Sequence, residues 1–142
     1  MLAQGYARTY RANAVLTASP GQLVLMLYDG ALQAMAIAHA ALLDPAYPRR
    51  FEVVNHQLLK AQHILAELQG GLNLKEGGEF AQTMHRLYDY HMGRLFEANQ
   101  RKQPEPVTEV ENLVRELREA WAEMLQKQDG SAPAAERIRS VA

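Results

Sequence analysis

The sequence predicts an all-α fold, an antiparallel four-helix bundle with an N-terminal segment packing on it. Four stretches of roughly 20 residues repeat apolar side chains at steps of three and four, the spacing of one helical face. Short breaks rich in proline and glycine separate these stretches, and short connections favour antiparallel neighbours. We find no stretch that alternates apolar and polar residues, which is the pattern of a half-buried strand.

The first helix is predicted to begin at Ser19 and Pro20 and to end near Leu43. A serine at the N-cap accepts a hydrogen bond from a free backbone N–H, and a proline suits the first helical position. The proline-containing run of residues 44–48 then ends the helix. Residues 1–18 precede it as a separate N-terminal segment.

The second helix is predicted to begin near Arg49 and to end at Gly70 and Gly71. Seven of its apolar residues share one stripe, because they are spaced alternately by three and four. These residues are Phe51, Val54, Leu58, Ala61, Leu65, Leu68 and Leu72. The positions between them are mostly polar and indicate a solvated face.

The third helix is predicted from about Glu79 to Asn99, after a turn at Gly77 and Gly78. Its apolar stripe is continuous along the helix and includes one histidine. The stripe consists of Phe80, Met84, Leu87, His91 and Leu95. We interpret the histidine as a core side chain rather than a catalytic group.

The fourth helix follows the break at residues 103–106 and is predicted to end at Asp129 and Gly130. Its stripe again uses steps of three and four. The residues are Val107, Val110, Val114, Leu117, Trp121 and Met124. Residues 19–128 therefore form the bundle, and residues 129–142 are a tail that frays or forms a short helix.

The first helix carries more apolar surface than a bundle covers. One stripe would make an ordinary core face, and it comprises Leu23, Leu27, Ala34, Ile37 and Ala41. A second comprises Val24, Tyr28, Ala31, Met35 and Leu42. A helix that is apolar nearly all round must be covered nearly all round. The N-terminal segment, a second subunit or a client protein could supply that cover, either permanently or as an exchangeable cover over a helix-binding groove.

Composition excludes several functional classes. A formal net charge of −1 does not suit a nucleic-acid-binding protein, which is usually basic. The chain has no cysteine, which excludes a disulfide framework and a thiolate metal site. Phosphate-binding and nucleophile-elbow motifs are lacking, and so are histidine pairs spaced to hold a metal. We therefore predict a protein that is not an enzyme, with no catalytic residue, no cofactor and no metal site.

The segment of residues 20–43 is long and apolar enough to require a membrane test. Asp29 lies well inside it. A carboxylate in the middle of a membrane costs about 2.5–3.5 kcal/mol on insertion scales. We therefore predict a buried helix of a soluble protein without membrane insertion.

Residues 13–30 contain the run Thr-Ala-Ser-Pro-Gly at 17–21 and the run Leu-Tyr-Asp-Gly at 27–30. This stretch resembles the signature of the flagellar secretion chaperone FliS family. Three further pieces agree with that family in order, and the resemblance covers about residues 6 to 127. These pieces are residues 60–68 with 72–73, residues 77–79 with 87–90 and 97–99, and residues 116–121.

The resemblance implies a cytoplasmic export chaperone. Such proteins bind the disordered C-terminal segment of flagellin, prevent its premature polymerisation and deliver it to the export gate of the flagellar type III apparatus. The family motifs imply that a flagellin groove is formed by Tyr10, Val15, Leu23, Leu27, Tyr28, Leu87 and Tyr90, with Ile64, Leu68 and Leu72 as additions. Each of these residues could instead belong to the ordinary core.

Two other interpretations stay open at this point. One is a generic helical adaptor or homodimerising bundle without a flagellin client. The other is a bundle enzyme with a ligand or metal, which the absent motifs already disfavour. A homodimer is also compatible with the chaperone interpretation.

Overall fold

The computed structural model describes residues 17–131 and shows four α-helices. They are α1 (Pro20–Leu43), α2 (Arg50–Gly70), α3 (Gly78–Arg101) and α4 (Glu105–Ser131). Helix α1 packs on α2 and α4, and α3 packs on the same two helices, so the four helices surround one core. The predicted all-α four-helix bundle is confirmed. The N-terminal segment predicted to pack on it falls outside the described residues, except for its last two.

The start of α1 and its connection to α2 depend on side chains that satisfy free backbone groups. The Ser19 hydroxyl oxygen accepts a hydrogen bond from the Gln22 N–H at 3.2 Å, which confirms the predicted N-cap. At the other end, Arg50 donates from Nε to the Ala41 carbonyl at 2.8 Å and from its guanidinium to the Leu42 carbonyl. A cation at a helix C-terminus also complements the helix dipole. These bonds fix α2 against the end of α1.

The turn between α2 and α3 requires glycine at one position. A Cβ on Gly77 would lie 2.6 Å from Ala81 Cβ and 2.7 Å from the Asn73 carbonyl oxygen, which leaves no space for it. Gly78 follows with a φ of +57°, a conformation that glycine adopts without strain. The Asn73 side-chain oxygen accepts the Glu76 N–H at 3.1 Å and closes the turn.

The core combines small side chains on α1 with larger side chains on the other helices. Both apolar stripes predicted on α1 contribute to the core, the second through Tyr28, Ala31 and Met35 and the first through Ala34 and Ala41. Leu23 of the first stripe is 36% exposed. Small buried residues let α1 approach α2 closely, and theirs is the most extensive of the four interfaces. The buried small residues of α1 are Ala31, Ala34, Ala38 and Ala41.

The prediction that two phenylalanines belong to the core stripes is wrong. Phe51 is 54% exposed and Phe80 is 73% exposed. Both lie in the first turn of their helix, at an end of the bundle. The Arg50 guanidinium lies over the Phe51 ring at 5.1 Å instead. The predicted end of α4 is also wrong, because the helix continues through Asp129 and Gly130 to Ser131.

Helix α1 has the length and composition of a membrane-spanning helix, and it is the one described helix that passes this test. In the structure it packs between α2 and α4. Yet only 28% of the residues in its most apolar 18-residue stretch are buried. Part of its apolar surface is therefore open to another covering group.

Two leucines of α2 give a matched test of this packing. Leu65 is 0% exposed and Leu59 is 41% exposed. Leu65→Ala should lower the free energy of unfolding by about 2–5 kcal/mol, because it leaves a cavity in the core. Leu59→Ala should cost less than about 1 kcal/mol, since solvent already covers part of that side chain. Urea unfolding followed by circular dichroism measures both, and equal losses would contradict the assigned core.

Candidate partner-binding surface

Five of the predicted binding residues come together along the junction of α1 and α2. A Cβ on Gly30 would lie 3.3 Å from Ile64 Cδ1, which fixes the level at which these antiparallel helices face each other. Counting away from this contact places Leu27 level with Leu68. Leu72 follows the end of α2, on the side of the bundle where α1 begins and Leu23 lies. We call these five residues the α1–α2 row: Leu23, Leu27, Ile64, Leu68 and Leu72.

The α1–α2 row is partly open to solvent. Leu23 is 36% exposed and Leu68 is 7% exposed. The other three members, Leu27, Ile64 and Leu72, are half-buried and pack against the core. The row therefore forms an apolar strip that packs against the core on one side and is accessible to solvent on the other.

Tyr28 lies in the core and not on that strip. It is 4% exposed, and its hydroxyl forms a 2.6 Å hydrogen bond with the hydroxyl of Tyr88, which is 2% exposed. Burial raises the pKa of both phenols, and at Tyr28 the hydrogen bond to Tyr88 partly opposes this shift. Both groups are therefore neutral at physiological pH. This pair links α1 to α3 across the bundle.

Leu87 and Tyr90 lie on α3, on a different face of the bundle. Leu87 is half-buried against the core, whereas Tyr90 is 45% exposed. The Tyr90 hydroxyl donates to Glu109 Oε2 on α4, and Arg94 Nε donates to Glu109 Oε1 at 2.7 Å. The bond from Tyr90 and then that from Arg94 lower the pKa of Glu109. The predicted residues are thus divided between two faces, and Tyr10 and Val15 fall outside the described residues.

Sequence reasoning missed a second exposed apolar surface between α2 and α3. Asn99 Nδ2 donates to Asn55 Oδ1 at 2.9 Å, which places the next turn of α2 beside the preceding turn of α3. Leu59 is 41% exposed there and Phe96 is 56% exposed. Half-buried Met92 lies one turn further along α3. We call Leu59, Met92 and Phe96 the α2–α3 window.

Polar bonds lie at both ends of the α2–α3 window. The Asn55–Asn99 pair lies at one end, and Gln69 Nε2 donates to Asp89 Oδ1 at 2.8 Å at the other. A signal for the window exists in the sequence: Leu59 directly follows core residue Leu58, and Phe96 directly follows core residue Leu95. Successive residues of an α-helix point about 100° apart, so the second residue of each pair lies beside the core stripe.

The run at residues 27–30 contacts three other helices through four consecutive positions. Leu27 belongs to the α1–α2 row, Tyr28 bonds to α3, and Gly30 lies against Ile64 of α2. Asp29 Oδ1 accepts a 2.9 Å bond from Arg118 Nε of α4. Asp29 is therefore a half-exposed carboxylate that joins α1 to α4 by a hydrogen bond.

Helix α4 is joined to α1 at further points. Trp121 Nε1 donates to the Gly21 carbonyl at 2.8 Å. Further along α1, His39 Nδ1 lies 3.2 Å from Glu111 Oε1. Glu111 is buried, and burial raises the pKa of its carboxyl, an effect that His39 partly opposes. These contacts position α1 so that one side is fixed by α4 while the α1–α2 row remains accessible.

Comparison with known proteins finds similar sequences over most of the chain. The sequence model of the family described as "Flagellar protein FliS" matches residues 2–128. The chain is 36% identical over 128 residues to the flagellar secretion chaperone FliS of Bacillus subtilis, spanning 90% of this chain and 92% of that protein. It is also 36% identical over 125 residues to the chaperone of the same name from Salmonella typhimurium, covering 87% and 90% of the two chains.

The Tyr28–Tyr88 pair can be tested with a double-mutant cycle. Tyr88→Phe alone should lower the free energy of unfolding by about 1–3 kcal/mol, because it leaves the buried Tyr28 hydroxyl without this partner. Tyr28→Phe with Tyr88→Phe should restore part of that loss, since no unpaired hydroxyl then remains. Urea unfolding of the four proteins gives the coupling energy. Strictly additive losses would show that the two hydroxyls do not interact.

Proposed function

Because the chain belongs to the FliS family, we propose that it binds the disordered C-terminal segment of flagellin in the cytoplasm. It thereby prevents premature polymerisation of flagellin and delivers it to the flagellar type III export apparatus. Its relatives are named flagellar secretion chaperones, and a chaperone of this kind has a flagellar client protein. Flagellin is the client that we assign to this chain.

The observation that carries the proposal is the apolar surface that the bundle leaves exposed. Leu23, Leu59 and Phe96 are between 36% and 56% exposed, although the core beneath them is already filled. The α1–α2 row and the α2–α3 window lie on the two sides of α2. A disordered client that folds on binding can wrap around such a helix and contact both surfaces.

This role requires binding and no chemistry. We propose that the protein acts without a cofactor and is not an enzyme. A chain of 142 residues without cysteine suits the reducing cytoplasm. The segment of residues 1–18 remains our candidate for an exchangeable cover, which flagellin would displace before a component of the export gate receives the complex.

Titration calorimetry with the C-terminal segment of flagellin tests the proposal. We expect saturable one-to-one binding with a negative heat-capacity change, because apolar surface is buried. Leu23→Asp and Phe96→Asp should each weaken binding at least about tenfold, since a carboxylate must then be desolvated in the complex. Leu43→Asp is the matched control, because Leu43 is 62% exposed at the opposite end of α1. It should leave the affinity unchanged.

The outcomes of this experiment distinguish the identity of the client from the position of its binding site. Absence of binding at tens of micromolar would contradict the flagellin assignment. Binding that persists in both variants would support flagellin as the client and show that the binding site lies elsewhere on the protein. Light scattering of the protein alone completes the test: a stable dimer that ignores flagellin would instead support the generic adaptor or homodimerising bundle.

A further inference from the structure

His91 is a fully buried side chain of α3, and within residues 17–131 its two ring nitrogens have no hydrogen-bond partner. Its ring lies edge-on to the Tyr88 ring, with centroids 6.1 Å apart, and is tilted against the Tyr90 ring at 6.3 Å. The hydroxyls of these tyrosines are engaged with Tyr28 and Glu109 respectively. Burial of an imidazole without a partner disfavours the closed bundle, because the bonds to water are lost and not replaced.

The interface between α3 and α4 is the least extensive of the four. Within residues 105–128, full burial on α4 ends at Val114. Beyond it, Leu117, Trp121 and Met124 are only half-buried, although they continue the apolar stripe. Helix α4 is thus well packed near its connection to α3 and poorly packed toward its other end, whereas α3 keeps Ala81, Met84 and Tyr88 buried in its first half.

The polar ties of α4 hold it to α1 on both sides of Val114. Arg118 bonds to Asp29 at 2.9 Å and Trp121 bonds to the Gly21 carbonyl at 2.8 Å, both in the poorly packed half. The bonds that Tyr90 and Arg94 of α3 make to α4 both end on Glu109, near the turn. Separation of α3 from α4 can therefore begin at the far end while α4 stays attached to α1.

We propose that the α3–α4 interface is the seam along which this bundle opens, and that the unpartnered His91 determines how readily it opens. Opening lets water reach both ring nitrogens, so the open state regains hydrogen bonds that the closed state lacks. It also exposes the apolar faces of α3 and α4, beginning with Leu87 and Leu117. The inference rests on the packing of the bundle and does not depend on the identity of the client.

Protonation makes this seam sensitive to acid. Burial lowers the pKa of His91 to about 4, an effect that Glu109 partly opposes. Because this value lies below the ordinary value of 6.5, the closed state is fully favoured above pH 6.5 and loses stability as the pH falls toward 4. Between pH 7.5 and pH 5.0 the ratio of open to closed molecules should rise about 30-fold.

Other titratable groups near the core give a different pattern. On α4 they are Glu109 and Glu111, and on α1 they are Tyr28 and His39. The side chains that α2 buries, Val54, Leu58, Ala61, Leu65 and Leu68, carry no charge. His39 pairs with Glu111 across the α1–α4 interface, whereas His91 lies on α3. A measurement resolved by helix therefore distinguishes the two histidines.

Hydrogen exchange of the full chain, expressed as protection factors at pH 7.5 and pH 5.0, provides the test. In the wild-type protein, protection at the facing amides of α3 and α4 should fall about 30-fold more than protection in α1 and α2. His91→Leu removes the unpartnered nitrogens, so protection should rise at pH 7.5 and lose its pH dependence. His63→Leu makes the same change at an exposed histidine of α2 and should behave like the wild type.

Three results would overturn the proposal. The first is a wild-type protein whose α3 and α4 amides are equally protected at both pH values. The second is a fall in protection that is the same in all four helices, which would indicate global unfolding and no seam. The third is a pH dependence that survives in His91→Leu. His91→Met serves the same purpose if the leucine variant does not fold.

Discussion

The close contact of α1 with α2 is the constraint on which the rest of the bundle depends. Alanines at buried positions of α1 carry almost no side chain into the interface, so the two backbones approach closely. Arg50 then fixes the connecting turn by bonding to the last carbonyls of α1. With this pair fixed, α4 attaches to α1 through Asp29 and Trp121, and α3 fills the remaining side.

This arrangement makes the bundle unequal in its two halves. The α1–α2 half has small side chains and the most extensive interface, whereas the α3–α4 half has the least extensive interface and contains a buried imidazole without a described partner. Stability in a small domain is the small difference between large opposing terms, so such local weaknesses shift local opening strongly. For the proposed chaperone function, the tightly packed α1–α2 half would remain folded while the α3–α4 half opens.

Local signals predicted most of the fold, and long-range packing explains the rest. The helix ends could be predicted from Ser19, Pro20 and the breaks rich in glycine and proline, because these residue types have local effects on the backbone that can be read directly from a sequence. By contrast, Phe51 and Phe80 fit the apolar periodicity and are nevertheless exposed in the first turn of their helices, so periodicity alone does not determine burial at a helix end. The bond between Asp29 and Arg118 joins residues 89 positions apart, and no local pattern indicates it.

The run at residues 27–30 belongs to the stretch that resembles the family, and three of its four residues are buried or half-buried. Tyr28 is buried against Tyr88, Gly30 lies against Ile64, and Asp29 is bonded to Arg118. Each position is constrained by a different neighbour, so few substitutions fit all of them together, and the run is specific because it is structural. Residues that contact a client are freer of such constraints. They are therefore better sought beside the core stripes, at positions such as Leu59 and Phe96.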